Sequence, residues 1–171
     1  MKKIIFSFLM FTVAVNVFAL EIKSPVLAQK GYIPSNYTCD GANISPEISW
    51  SDVPDNTQSL VLICDDPDAS FNTWIHWVVY NIPAEVKKLE EGLPKTAKLD
   101  NGAMQGINDF GEVGFGGPCP PAGKAHRYFF RLYALDAMLK LETAATRKDV
   151  EKAMVGHILG ETNIHGLYQK K

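Results

Sequence analysis

The sequence predicts a mostly β domain with one or two short peripheral helices. Three observations carry that prediction. First, residues 59–64 (Ser-Leu-Val-Leu-Ile-Cys), 74–82 and 126–135 are runs rich in aliphatic, aromatic and β-branched residues. Each run stops at turn formers, respectively Asp65-Asp66-Pro67, Pro83 and Asp136, which is the signature of a strand. Second, their apolar character is nearly continuous, so the strands should be covered on both faces, as in a sandwich or a sheet under helices. Third, one segment reads as helix. Thr146-Arg147-Lys148-Asp149 resembles a capping box with Asp in the place of Glu. Val150, Met154, His157 and Ile158 then follow helical spacing, which extends the helix to near Gly160 and places His157 on its buried side. Residues 162–168 read as a last strand or extended segment. Residues 84–125 are rich in Gly, Asn, Asp and Pro and should be mostly loop, with a short strand at 102–106.

The two ends of the chain differ. Lys2 and Lys3 precede an apolar stretch over residues 4–17, and Val17-Phe18-Ala19 places small residues where a signal peptidase cuts. Residues 1–19 are therefore expected to be a secretory signal peptide, with a periplasmic or secreted mature domain at 20–171. The apolar stretch is shorter than the roughly 20 residues that span a bilayer. No second stretch approaches that length, so the mature chain is expected to lack a transmembrane segment. Cleavage leaves 152 of the 171 residues, enough for one domain with its own core. It also leaves 15 basic against 19 acidic side chains, a balance of −4. A mildly acidic chain without a basic tract argues against nucleic acid as a partner.

An exported chain meets an oxidising compartment, and three cysteines remain: Cys39, Cys64 and Cys119. At most one intramolecular disulfide is expected, with Cys39 in its polar loop as the best participant and at least one thiol left free. Sequence does not choose the pair. Cys64 lies in an apolar strand and reads as a small buried hydrophobe. The spacings match no zinc motif, and no cofactor is expected. Sequons at Asn36 and Asn43 count only in a eukaryotic secretory pathway.

Two polar clusters carry the chemistry. Asp65-Asp66-Pro67-Asp68-Ala69 is followed by His76 in Trp74-Ile75-His76-Trp77. Gly116-Gly117-Pro118-Cys119-Pro120-Pro121 is followed by His126-Arg127-Tyr128. Residues two apart on a strand share a face, so His126 and Tyr128 point one way and Arg127 the other. Arg127 and Arg131 should be solvated or salt-bridged. Proline stiffens the second cluster and glycine lets backbone approach closely, so its N–H groups are expected to be aimed at a ligand oxygen. Histidines add donors near neutral pH, and carboxylates beside them would hold their tautomers or favour the charged form.

These motifs resemble the phosphatidylethanolamine-binding proteins, in particular the bacterial branch similar to Raf kinase inhibitor protein. Further carriers are Thr38-Cys39-Asp40-Gly41, Asn43-Ile44-Ser45-Pro46 with Ser49-Trp50, and His76-Trp77-Val78-Val79-Tyr80-Asn81-Ile82-Pro83. Together they cover nearly all of the mature chain. The resemblance implies two antiparallel β-sheets with Greek-key connections and a small pocket for phosphate-like or carboxylate anions, including a phosphoethanolamine head group. It implies Asp66, Asp68, His76, His126 and Tyr128 as pocket residues, with Gly117 and Pro118 in a lining loop. It departs at Ser70, where the family often carries proline, so the rigidity of that turn is not carried over.

The expected function is a non-enzymatic binding module for a small anionic ligand or a phospholipid head group. The alternative is an exported inhibitor or signalling protein that acts through a protein partner. An exported copy cannot easily meet a cytoplasmic kinase. Two carboxylates and two histidines could serve acid–base chemistry. Against catalysis, the chain has no Gly-x-Ser-x-Gly elbow, no His-Glu-x-x-His pair, and no Ser or Cys nucleophile at a recognisable distance from a base.

Overall fold

The structure is a computed structural model that describes residues 19–27 and 30–170. The expected signal peptide lies, but for Ala19, outside the described residues. Among the described residues, eight strands and one α-helix form a mostly β fold of two antiparallel sheets. The strands are β1 (Glu21–Lys23), β2 (Ile48–Ser51), β3 (Ser59–Asp66), β4 (Trp74–Pro83), β5 (Lys88–Leu89), β6 (Met104–Gln105), β7 (His126–Leu135) and β8 (Ile158–Tyr168). The smaller sheet runs β1-β2-β5 and the larger β6-β4-β3-β7-β8. The chain leaves the larger sheet after β4 to form β5. It returns at β6 and only then adds β7 beside β3.

Strand alternation splits β3 between two cores. Leu60, Leu62 and Cys64 face the smaller sheet and pack with Ile48, Trp50 and Leu89. Val61 and Ile63 face the other way, onto Val150 and Met154 of the helix α1 (Arg147–Met154). Every residue of β3 is buried, so the continuous apolar run did report a strand covered on both faces. Among the described residues, no helix is long and apolar enough to cross a membrane.

The helix is shorter than its periodicity predicted. The capping box forms as read: the Thr146 hydroxyl accepts from Asp149 N, and the Asp149 side chain accepts from Thr146 N. The helix nevertheless ends at Met154, and Ile158 opens β8. Gly156 at φ 83° turns the chain, a conformation that glycine adopts without strain. His157 is therefore not packed inside. It is about half exposed, with Nδ1 2.7 Å from Asp136 Oδ1.

Candidate ligand-binding site

The inner face of the larger sheet changes from apolar to polar at one end. Moving up β7 from Phe130, alternation brings Tyr128 and then His126 onto the core side, next to the end of β3 at Asp66. His76 arrives by a different device. The β3–β4 register pairs Cys64 with Trp77 but Asp65 with Ile75, so His76 is the extra residue of a β-bulge. Simple alternation would place His76 and Trp77 on opposite faces. The bulge turns His76 toward Tyr128, whose ring it meets edge-on at 5.1 Å.

These four side chains line a cavity of about 410 Å³. Asp66, His76, His126 and Tyr128 are its polar end. Trp74, Phe110 and the turn 69–73 form its apolar sides, and Cys119, Pro120 and Pro121 close another. Phe71 at the mouth is 97% exposed.

The hydrogen bonds fix what each polar group can offer. Asp66 is spent within the protein: Oδ1 accepts from Asp68 N at 2.8 Å, and Oδ2 lies 2.7 Å from His126 Nδ1. A carboxylate accepts, so Nδ1 carries a proton and Nε2 is the nitrogen left to a ligand. His76 Nδ1 lies 2.6 Å from Gly116 O, a carbonyl that can only accept, so its tautomer is fixed in the same way. Burial pushes the His76 pKa below the usual imidazole value, against the opposing pull of Gly116 and Asp66. At neutral pH His76 thus offers an acceptor at Nε2. Burial, reinforced by the nearby Asp66 charge, pushes the Tyr128 phenol far above its usual value, so it stays a donor. That hydroxyl is buried and makes no hydrogen bond of normal geometry; Asp66 is the side-chain acceptor near it. The site therefore combines donors with an acceptor in one cavity.

Not every residue singled out from sequence meets there. Asp68 turns away: its Oδ1 and Oδ2 pair with the Arg127 guanidinium at 2.6 and 2.8 Å, and Oδ2 also accepts from Arg127 N at 2.9 Å. Gly117 and Pro118 stand behind the wall that Cys119, Pro120 and Pro121 present. The expected array of free N–H groups is not found at Gly116 and Gly117. Gly116 N donates to His76 O at 2.9 Å, and Gly117 N donates to Asn43 Oδ1 at 2.7 Å. The glycines serve close packing instead. A Cβ on Gly117 would lie 2.5 Å from Tyr37 O, and one on Gly116 would lie 2.5 Å from the Phe110 ring. Asp109 is a cavity residue that sequence reasoning missed. Its Oδ2 accepts from Ile75 N at 2.8 Å, which anchors the loop that carries Phe110. Residues 108–111 fall in the stretch expected to be mostly loop, and nothing in their sequence pointed to the cavity.

Cys39 and Cys119 form the one disulfide found among the described residues, and it fastens the cavity wall to the loop after the single 3₁₀ turn at Ser35–Tyr37. Cys64 is a free, buried thiol whose pKa burial pushes well up.

A family model described as phosphatidylethanolamine-binding protein matches residues 23–169. The UPF0098 protein of Methanothermobacter thermautotrophicus is 53% identical over 151 residues, covering 88% of this chain and 99% of the relative. That of Aquifex aeolicus is 52% identical over 153 residues, covering 88% and 89%. Among solved structures, E. coli YbcL, described as a member of the mammalian PEBP family, superposes with a TM-score of 0.84 at 33% identity, covering 90% of this chain and 100% of that one. A Chlamydia trachomatis protein described as a putative phosphatidylethanolamine-binding protein homolog gives 0.81 at 41% identity, covering 90% and 99%.

Proposed function

The chain belongs to the phosphatidylethanolamine-binding protein family, and from that premise we propose that it is an exported, non-enzymatic protein whose cavity holds a phosphate-like anion, best matched by a phosphoethanolamine head group. Membership supports a binding-type protein in general. The observation that carries the finer reading is the buried Tyr128 hydroxyl, which has no well-formed hydrogen bond, beside a histidine whose tautomer Asp66 fixes. A buried donor without a partner costs about 1–3 kcal/mol. An anion oxygen would relieve that cost.

In the proposed complex Tyr128 donates to one anion oxygen. His126, when protonated, donates to another from Nε2, a charge-assisted bond. His76 Nε2 accepts from a protonated phosphate oxygen. Asp66 orients His126 and does not meet the anion. Asp109 lies on the same cavity and would receive the ammonium of the ligand. A phosphoethanolamine carries both signs and so matches both ends. Calorimetric titration with phosphoethanolamine and with inorganic phosphate tests this. Binding of both, with phosphoethanolamine the tighter, supports it; no heat from either refutes it. N-terminal sequencing of the native protein tests export, with Leu20 expected first and Met1 contradicting it.

A second reading is supported by the mouth of the cavity. Phe71 is 97% exposed and Phe110 44%, a pair of aromatics suited to contact with a protein partner. Under that reading phosphoethanolamine leaves no trace in calorimetry, and Phe71→Ala weakens capture of a protein from the cell envelope.

A further inference from the structure

The disulfide is set where it can control the cavity. It joins residues 80 apart in sequence, and Cys119 belongs to the cavity wall. The wall segment is held in two different ways. Up to Pro118 it is fastened by hydrogen bonds: Gly116 N to His76 O at 2.9 Å, Gly117 N to Asn43 Oδ1 at 2.7 Å, and Cys39 N to Pro118 O at 3.0 Å. Beyond Pro118 this ends. Among the described residues, none from Cys119 to Ala125 makes a backbone–backbone hydrogen bond. Pro120 and Pro121 have no N–H to give. The Gln169 side chain donates to Gly123 O, on the far side of the prolines. The wall formed by Cys119, Pro120 and Pro121 is thus tethered at its start by the disulfide.

The sulfurs have a charged neighbour. Lys170 Nζ lies 3.7 Å from Cys119 Sγ and 3.8 Å from Cys39 Sγ. It also lies 3.6 Å from Asp40 Oδ1, and Asp40 in turn accepts from the Tyr168 hydroxyl. An ammonium beside a sulfur stabilises the thiolate and makes that sulfur a better leaving group. Cys119 is exposed and Cys39 half-buried, so an incoming thiolate reaches Cys119 first.

We propose that Cys39–Cys119 is a thiol–disulfide exchange site, at which an external dithiol opens one wall of the ligand cavity. The dithiol's thiolate attacks Cys119 Sγ and forms a mixed disulfide. The Cys39–Cys119 bond breaks, and its electron pair leaves on Cys39 Sγ beside Lys170. The dithiol's second thiolate then displaces Cys119. The reductant departs as a disulfide, and the two cysteines take up the two protons it has lost. The wall from 119 to 125 is then free to move, while the strands beneath keep their cores. The regulatory consequence rests on the cavity being the ligand site.

The test compares the oxidised protein with protein treated with dithiothreitol, by hydrogen-exchange mass spectrometry, melting and phosphate calorimetry. On reduction, peptides over 119–125 should exchange at least about tenfold faster while β3, β4 and β7 stay protected. Phosphate affinity should fall at least about tenfold and return on reoxidation. The double variant Cys39→Ser, Cys119→Ser should match the reduced protein and ignore dithiothreitol. Lys170→Gln should slow release of thiols by roughly threefold or more, through loss of the leaving-group cation. Global unfolding on reduction overturns the proposal, because the disulfide is then a staple for the whole fold. So does unchanged exchange over 119–125, or equal phosphate affinity in both forms. If the oxidised protein binds no phosphate, the proposed function fails, and the exchange and Lys170 measurements still decide the exchange site.

Discussion

Asp65 and Asp66 are neighbours on one strand and take opposite parts. Asp65 points to the outer face, where both oxygens meet the Arg131 guanidinium, at 2.6 and 3.3 Å. Arg131 lies over the Phe129 ring at 4.6 Å, and Phe129 stacks on His165 at 4.6 Å. Asp66 points to the inner face and meets His126. On the outer face the Asp65 charge, the Arg131 cation and the Phe129 ring each have a partner. On the inner face the tyrosine hydroxyl has no well-formed hydrogen bond, and each of two histidines has committed Nδ1 within the protein. What distinguishes the inner face is the Tyr128 hydroxyl beside two Nε2 atoms, the groups that the proposed ligand would use.

That contrast breaks first at Arg131, where the largest effect is expected. The Asp65 side chain is only 2% exposed. Arg131→Ala leaves it buried and unpaired, which should cost about 3 kcal/mol of stability in urea unfolding. Affinity for phosphoethanolamine should not change. Replacing both partners, with Asp65→Asn and Arg131→Met, should recover most of the loss, because no charge is then stranded. A drop in affinity with either variant would mean that the outer face also takes part in binding.

His126→Ala should act on the ligand as well as on the fold. Loss of a charge-assisted donor is worth about 2 kcal/mol, roughly a 30-fold loss of phosphoethanolamine affinity by calorimetry. Stability should fall by about 1–2 kcal/mol, because Asp66, whose side chain is 5% exposed, then keeps only the bond from Asp68 N. Equal affinity in the variant and the wild type would remove the cavity from the account.

Tyr128→Phe sharpens the comparison further. An ordinary buried tyrosine loses a hydrogen bond on this change and destabilises the protein. Here the hydroxyl makes no well-formed hydrogen bond, so stability should hold or rise by up to about 1 kcal/mol. Affinity should fall about tenfold, since the donor the ligand would use is gone. A clear loss of stability would show that the hydroxyl is already satisfied in solution.

Much of the fold was legible because it rests on local signals. Three long strands, the loop-rich middle and the capping box of Thr146 and Asp149 were all written in short windows of sequence. The short strands β1, β2 and β5 were not, since at two to four residues they hold no periodicity and exist only through pairing. The helix end was missed because Ile158 continues the helical spacing by coincidence while Gly156 turns the chain into β8. At the site, alternation correctly placed His126 and Tyr128 together with Arg127 opposite. Alternation could not place His76, whose position depends on a bulge set by its partner strand. Nor could it show that the N–H groups of Gly116 and Gly117 are used up by His76 and Asn43, contacts that span 40 and 74 residues.

The smallest effect concerns Asp68, which the resemblance put in the pocket and the structure turns toward Arg127. Side-chain hydrogen bonds from Arg127 hold the Asp68 carboxyl down at about 2, against a modest opposing effect of burial. An aspartate whose folded pKa lies below its unfolded value, near 3.9, stabilises the fold above that unfolded value. The contribution is lost as pH falls from about 4 through about 2, because the unfolded chain takes up its proton first. Arg127 is half exposed, so solvent screens the pair and the contribution should be about 1 kcal/mol, less than the shift alone implies. Urea unfolding of wild type and Asp68→Asn should therefore differ by about 1 kcal/mol at pH 6 and converge near pH 2. Phosphoethanolamine affinity at pH 6 should be nearly equal in the two proteins. A loss with Asp68→Asn as large as that with His126→Ala would mean that Asp68 leaves Arg127 to meet the ligand's amine. The set of residues that face the ligand would then have to be redrawn to include residue 68.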